Sequence, residues 1–187
     1  MRRVFAAGCR RYLEFGIGGS TLLALRSGAE MVVAADSDRR WVEVARTHPE
    51  LAPKVATGQL RLVHADVGPT GDWGRPAADS PQTAWPNYLA RPWTEWRNFG
   101  LLPDLVYVDG RFRVACCLSI LLAFADQREA PRIMIHDIGP ERPYYGTIFE
   151  FFETVEAVGS LHLLARRPDA SALGAVTRLL DFQFDAR

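Results

Sequence analysis

The sequence has almost no lysine: Lys54 is the only one, and every other basic residue is arginine. We read that bias as codon usage, and the clusters Arg2-Arg3, Arg10-Arg11 and Arg166-Arg167 as solvated faces. Net charge is also absent, with 22 basic residues against 22 acidic ones. The overall electrostatic footprint of a nucleic-acid binder is therefore missing. No apolar run approaches the roughly 20 residues that a membrane helix needs, so no membrane partner is expected. Cysteine is scarce: Cys9, Cys116 and Cys117 form an odd set with no C-x-x-C spacing. Neighbouring cysteines on a predicted helix point in different directions, so a bridge between Cys116 and Cys117 is not expected. Buried free thiols in a reducing compartment are. The histidines, at 48, 64, 136 and 162, form neither H-E-x-x-H nor a Cys/His zinc pattern. The first fifteen residues, "MRRVFAAGCRRYLEF", lack an apolar h-region and a clear cleavage site, which makes the cytoplasm the expected compartment.

What is present is a regular alternation. Short runs rich in β-branched residues fall at 11–16, 31–36, 60–66, 104–110, 132–137 and 161–166. Several are apolar throughout, as strands covered on both faces should be. Helical periods lie between them, at about 19–28, 38–47, 112–125 and 143–157. This order predicts a Rossmann-like, doubly wound α/β fold: a mostly parallel sheet of six or seven strands with helices on both faces. A chain of 187 residues is most simply one domain. Residues 67–103 break the rhythm. They hold four of the five tryptophans and six of the twelve prolines. Long connections are usually lids or disordered linkers, and disorder goes with few aromatics. An ordered insertion with a short helix near 87–98 is expected. Its four tryptophans should pack over the sheet edge, over a ligand or against a second subunit, and a homodimer is one assembly that would use them.

The stretch "YLEFGIGGST" places glycines at 16, 18 and 19 between a strand and a helix. Gly16 can turn the chain tightly, Gly18 can let backbone approach a ligand, and the helix start aims free N–H groups at the same space. A dinucleotide G-x-G-x-x-G would need glycine at 21, where Thr21 stands. Glu14, two residues before the first glycine, offers nothing to a pyrophosphate but suits a ligand with an amino group. Asp36 ends the second strand, twenty residues after Gly16, where a carboxylate can accept both ribose hydroxyls. NAD and S-adenosylmethionine sites share that feature. Asp66 ends the third strand and can either meet an adenine amine or cap a turn.

Glu14 to Ser20, then Asp36, then Asp66, resemble the successive motifs of class I S-adenosylmethionine-dependent methyltransferases. More narrowly, "LEFGIGGST", "HADVGPTGDWGRP" and "VDGRFRVACCL" resemble a group of small bacterial methyltransferase-like proteins, over essentially the whole chain. The resemblance implies strand order 3-2-1-4-5-7-6 with strand 7 antiparallel. It also implies S-adenosyl-L-methionine as cofactor, held by Glu14, Gly16, Gly18, Ser20, Asp36 and Asp66. After "LHLLAR" the tail reads as a helix, so a seventh strand is not evident in the sequence.

Ligands of open α/β sheets bind beyond the carboxyl ends of the strands. Strands 4 and 5 deliver Asp109, Gly110 and Arg111, and His136 and Asp137, to one mouth. Methyl transfer needs alignment and removal of a proton from an OH or NH. Histidine is the side chain suited to proton transfer at neutral pH, so His136 can be that base, with Asp109 orienting it or the acceptor. Arg111 or Arg113 can fork onto an anionic acceptor, and Asp137 is a second substrate-binding candidate. His136 can equally close strand 5, and Arg113 can be a helix-surface arginine. Catechol-type O-methyltransferases hold a divalent cation with carboxylates placed as Asp109 is, but His136-Asp137-Ile138 is not their second motif. No metal is expected. The expected activity is methyl transfer to a small-molecule acceptor. Its rivals are a cofactor-binding protein without catalysis and, less favoured by Thr21 and Glu14, an NAD-dependent oxidoreductase.

Overall fold

The computed structural model describes all of residues 1–187. Seven strands form one sheet: β1 (Arg11–Phe15), β2 (Met31–Asp36), β3 (Leu60–His64), β4 (Leu105–Val108), β5 (Arg132–Ile135), β6 (Phe152–Val158) and β7 (Leu161–Arg166), in the order β3-β2-β1-β4-β5-β7-β6. The first five strands pair in parallel, whereas β7 runs antiparallel to β5 and to β6. The four central strands are buried almost throughout, in keeping with their unbroken apolar runs.

Alternate residues of those strands feed two cores. Leu13, Phe15, Val33, Val106, Val108 and Ile135 face one layer. It is built on α5 (Asn87–Phe99), α6 (Arg113–Ala123) and α7 (Ala172–Phe182). Tyr12, Val32, Ala34, Leu105, Tyr107 and Met134 face the other. Its helices are α1 (Arg2–Ala6), α2 (Gly19–Arg26), α3 (Arg39–Thr47) and α4 (Ala52–Ala56). The sheet is thus covered on both faces, as expected. Helix α6 is buried along nearly its whole length, so Cys116 and Cys117 lie in the core, and with Cys9 they are unbridged. No helix is long and apolar enough to cross a membrane.

Two expectations change. Residues 143–157 are not one helix: 143–150 coil into 3-10 turns and 152–158 form edge strand β6. Glutamates at 150, 153 and 156 mimic a helical face, yet only Phe152 of β6 is buried. The seventh strand therefore precedes "LHLLAR" and pairs with it through the Gly159-Ser160 turn, where Gly159 has φ 60°. The insertion is ordered, with 3-10 turns at 72–74 and 82–84 before α5. Trp96 is fully buried, and Trp85 and Trp93 pack against the core. Trp73 does not: it is 78% exposed with φ 57°. That left-handed backbone is one that a bulky residue rarely adopts.

Candidate functional site

Register aligns the carboxyl ends of the central strands. Phe15 pairs with Ala35 on one side and Val108 on the other, and Val108 pairs with Ile135. Gly16, Asp36, Asp109 and His136 therefore emerge along one edge, separated by strand spacings of about 4.8 Å each. The ladder runs on into this edge: Gly16 N donates to Ala35 O (2.8 Å), Asp109 N to Phe15 O (2.9 Å) and His136 N to Val108 O (3.1 Å).

Gly16 has φ 106°, and a Cβ there would sit 2.8 Å from Gly110 N. It is needed for the turn and for the close approach of the loops after β1 and β4. Gly18 differs. Its φ of −167° suits any residue, and a Cβ would meet only Ser20 Oγ, at 3.9 Å. The chain's own packing does not require that glycine, so its open face is free for a ligand.

Beneath the loop, Glu14 is fully buried and accepts the hydroxyls of Ser20 and Thr21. Burial pushes its carboxyl up to about 8; the two hydroxyls oppose the shift, and Asp109 and Asp36 add to it. Asp36 accepts Ile17 N (3.1 Å) on one oxygen and Asp38 N (2.8 Å) on the other. Burial raises it above the ordinary value despite those amides. The insertion reaches this carboxylate: Ser37 Oγ donates to Gly74 O (2.7 Å), and a Cβ on Gly74 would lie 3.3 Å from Asp36 Oδ1. Asp66 is exposed and lies two residues beyond β3. Its Oδ1 accepts Gly68 N (2.9 Å), an Asx-turn, and its carbonyl takes Asn87 Nδ2 (2.8 Å).

On the β4–β5 side, His136 Nδ1 lies 3.3 Å from Asp109 Oδ1 and 3.1 Å from Asp137 Oδ1. Tyr107 donates its hydroxyl to Asp109 Oδ2 (2.9 Å). Asp137 sits in a left-handed conformation, φ 62°, which a non-glycine residue adopts at a cost. Its Oδ2 takes Arg113 and Arg142, each at 2.8 Å. Burial pushes Asp137 up, but the two arginines outweigh it and hold the carboxyl below the ordinary value. Asp109, His136 and Asp137 each present one ligand atom within 4.8 Å of the others, a spacing a cation can bridge. The arginines on the same carboxylates oppose it.

Arg113 is not a helix-surface arginine. It is 4% exposed and donates to Gly110 O (2.9 Å), His136 O (2.8 Å) and Asp109 O (3.3 Å) as well as to Asp137. It binds the two loops together. Arg111 donates no side-chain hydrogen bond from its buried Nε, while its backbone N reaches the Tyr88 hydroxyl (3.3 Å). Arg75, Arg142, Tyr88 and the pair Tyr144-Tyr145 also reach this mouth and were not among the sequence candidates. The arginine- and tyrosine-dense run "PERPYYG" right after strand 5 was the available signal.

No family model and no curated protein matches the sequence. Among solved structures, the chain is similar to a methyltransferase-like protein from Silicibacter pomeroyi, at 29% identity and TM-score 0.79, over 98% of this chain and 92% of that one. It also aligns with a ribosomal-protein methylase from Lactobacillus delbrueckii subsp. bulgaricus, at 12% identity and TM-score 0.49, over 89% and 76% of the two chains. The first likeness carries the weight: the chain is similar to a methyltransferase-like protein over nearly its whole length, and its seven-stranded sheet is that fold.

Proposed function

We propose that the protein binds S-adenosyl-L-methionine along the loop after β1 and methylates a small-molecule acceptor beside His136. One observation carries the reading. An open glycine face at Gly18 lies over buried Glu14 and next to Asp36, in the fold of a methyltransferase-like protein. The residues fit the cofactor: Asp36 would take the ribose hydroxyls, and the acidic ground of Glu14, Asp36 and Asp109 suits a ligand carrying ammonium and sulfonium charges. When bound, the cofactor supplies an electrophilic methyl group. Asp66 belongs to this set only if its Asx-turn opens.

The chain's own residues then have two tasks. Arg113 fixes the loops after β4 and β5 in register, so that Asp109 and His136 share one space. His136 directs Nδ1 at Asp109 and Asp137, which leaves Nε2 as the basic nitrogen for a proton from an acceptor OH or NH. Ser160 Oγ lies 3.5 Å from Nε2, a long contact that the acceptor's OH or NH would have to displace.

Calorimetry with S-adenosylhomocysteine tests the cofactor assignment. Asp36→Ala should cost about 1.5–3 kcal/mol of affinity, as loss of charged hydrogen bonds does. Unchanged binding would remove Asp36 from the ribose. A thermal shift with NAD and none with S-adenosylhomocysteine would overturn the reading altogether.

A further inference from the structure

Five arginines converge beside the His136 cluster: Arg75, Arg111, Arg113, Arg142 and Arg187 line one small cavity of about 170 Å³. Three carboxylates answer these five guanidiniums. Asp137 pairs with Arg113 and Arg142, Asp109 with Arg113, and Asp185 with Arg187. Arg75 and Arg111 have no ion pair. Arg111 is the sharper case, because its Nε is buried without any hydrogen-bond partner. A buried donor left unmade costs free energy, the more so on a charged group. Burial and the neighbouring Arg113 both act against its charge, yet a guanidinium does not give up its proton.

The walls are braced. Arg187 stacks on Tyr144 at 4.3 Å and Arg142 lies over Tyr145 at 5.9 Å, while the two tyrosine rings meet edge to face at 4.7 Å. Cation–π contacts of this kind hold guanidiniums in place without neutralising them. The cavity has room for about five or six waters at ~30 Å³ each, enough for a phosphoryl or carboxylate group and too little for a nucleoside. Arg113 is its common wall with the His136 cluster, since the same guanidinium contacts Asp109, Asp137 and the carbonyl of His136.

We propose that this cavity seats an oxyanion group, phosphoryl or carboxylate, of the methyl acceptor, so that the substrate class is an anionic small molecule. The proposal rests on the methyltransferase reading for the word acceptor, but the anion seat stands on its own geometry. Arg111 and Arg75 supply the unanswered charge, and the planar forks of arginine match both oxyanions. A group held there leaves the remainder of the molecule facing His136 across Arg113.

The test uses the full chain with inorganic phosphate and acetate as separate probes, against chloride at equal ionic strength. Thermal shift and calorimetry should show a response to at least one probe that chloride does not give. Phosphate alone would assign the phosphoryl source, and acetate alone the carboxylate. Arg111→Gln should weaken that response at least tenfold, while its melting temperature without anion stays equal or rises, because an uncompensated buried charge is gone. The exposed Arg75→Gln, which leaves the fold untouched, should weaken it several-fold. A response equal to chloride's, or one undiminished in both variants, overturns the proposal. So does a short single-stranded RNA that binds through Arg75 and Arg111 more tightly than phosphate. S-adenosylhomocysteine binding, measured on the same samples, separates the two readings: its loss sinks the methyltransferase, and the absence of anion binding sinks only the seat.

Discussion

The carboxyl edge of the sheet is acidic where β1, β2 and β4 end and basic where the chain runs on past β4 and β5. The two sides handle their charge differently. Glu14, Asp36 and Asp109 crowd one another, and burial lifts Glu14 and Asp36 above their ordinary values. That side relieves the strain by holding a proton on Glu14. Arginine has no such outlet, so the basic side is balanced by Asp137, Asp109 and Asp185, and two guanidiniums stay unanswered. An acidic surface that can discharge itself is suited to release a proton when a cation arrives. A basic surface that cannot is left waiting for an anion. The contrast fits a cationic donor on one side and an anionic acceptor on the other, with Arg113 and Asp109 at the seam.

Breaking the seam at its backbone should have the largest effect. Gly16→Val puts a Cβ within 2.9 Å of the Asp109 and Gly110 backbone, at a φ of 106° that valine rarely adopts. We expect a loss above about 4 kcal/mol, so that thermal denaturation finds little folded protein. Gly16 thus serves the fold as well as any ligand. Gly18→Ala meets open space, and should melt within about 0.5 kcal/mol of the parent while losing S-adenosylhomocysteine binding. Equal melting of the two variants would mean that the loops do not touch as described. Arg113→Ala comes next, with an expected cost of about 3 kcal/mol, since Asp137 and Asp109 lose a partner that is itself buried. Arg142→Ala removes a third-exposed side chain from the same Asp137 and should cost at most about 1 kcal/mol. A urea series on both variants gives the ratio, and a ratio near one would deny Arg113 its place as the brace.

These contrasts also mark how far the sequence could be read. Six of the seven strands and the α/β alternation were legible, the central four because apolar runs buried on both faces leave a signature that depends on nothing else in the chain. Edge strand β6 was not: with one buried residue it has no alternation to read, and its glutamates at 153 and 156 suggest a helix. The Gly159-Ser160 turn between Val158 and Leu161 was the overlooked cue. In the site, residues at strand ends were found because β1, β2, β4 and β5 fix them by register. Arg75, Arg142 and Arg187 come from the insertion, the loop after β5 and the stretch after α7, and only the folded chain brings them together. Arg113 was weighed as a surface residue for the same reason: helix periodicity does not reveal that the loop after β5 folds back over its guanidinium.

The smallest effect probes the acidic side by pH. Glu14 titrates at about 8 in the folded protein against an ordinary 4.5. Between those values the folded chain keeps a proton that the unfolded chain has lost, so raising the pH favours unfolding. The stabilising contribution is complete below the ordinary value and is lost as pH rises through about 8, with a slope of up to about 1.4 kcal/mol per pH unit. Glu14→Gln is neutral at every pH and should flatten the melting profile between pH 5 and 8, with its amide oxygen accepting one of the Ser20 and Thr21 hydroxyls and its NH2 donating to the other. A cationic ligand favours the ionised form of Glu14, so S-adenosylmethionine binding near pH 7 should release protons. Calorimetry in two buffers of different ionisation heat would register that release in the parent and not in the variant. If Glu14→Gln kept the parent's slope and its buffer-dependent heat, Glu14 would not be the group through which the acidic side discharges, and the contrast with the arginines would lose its physical basis.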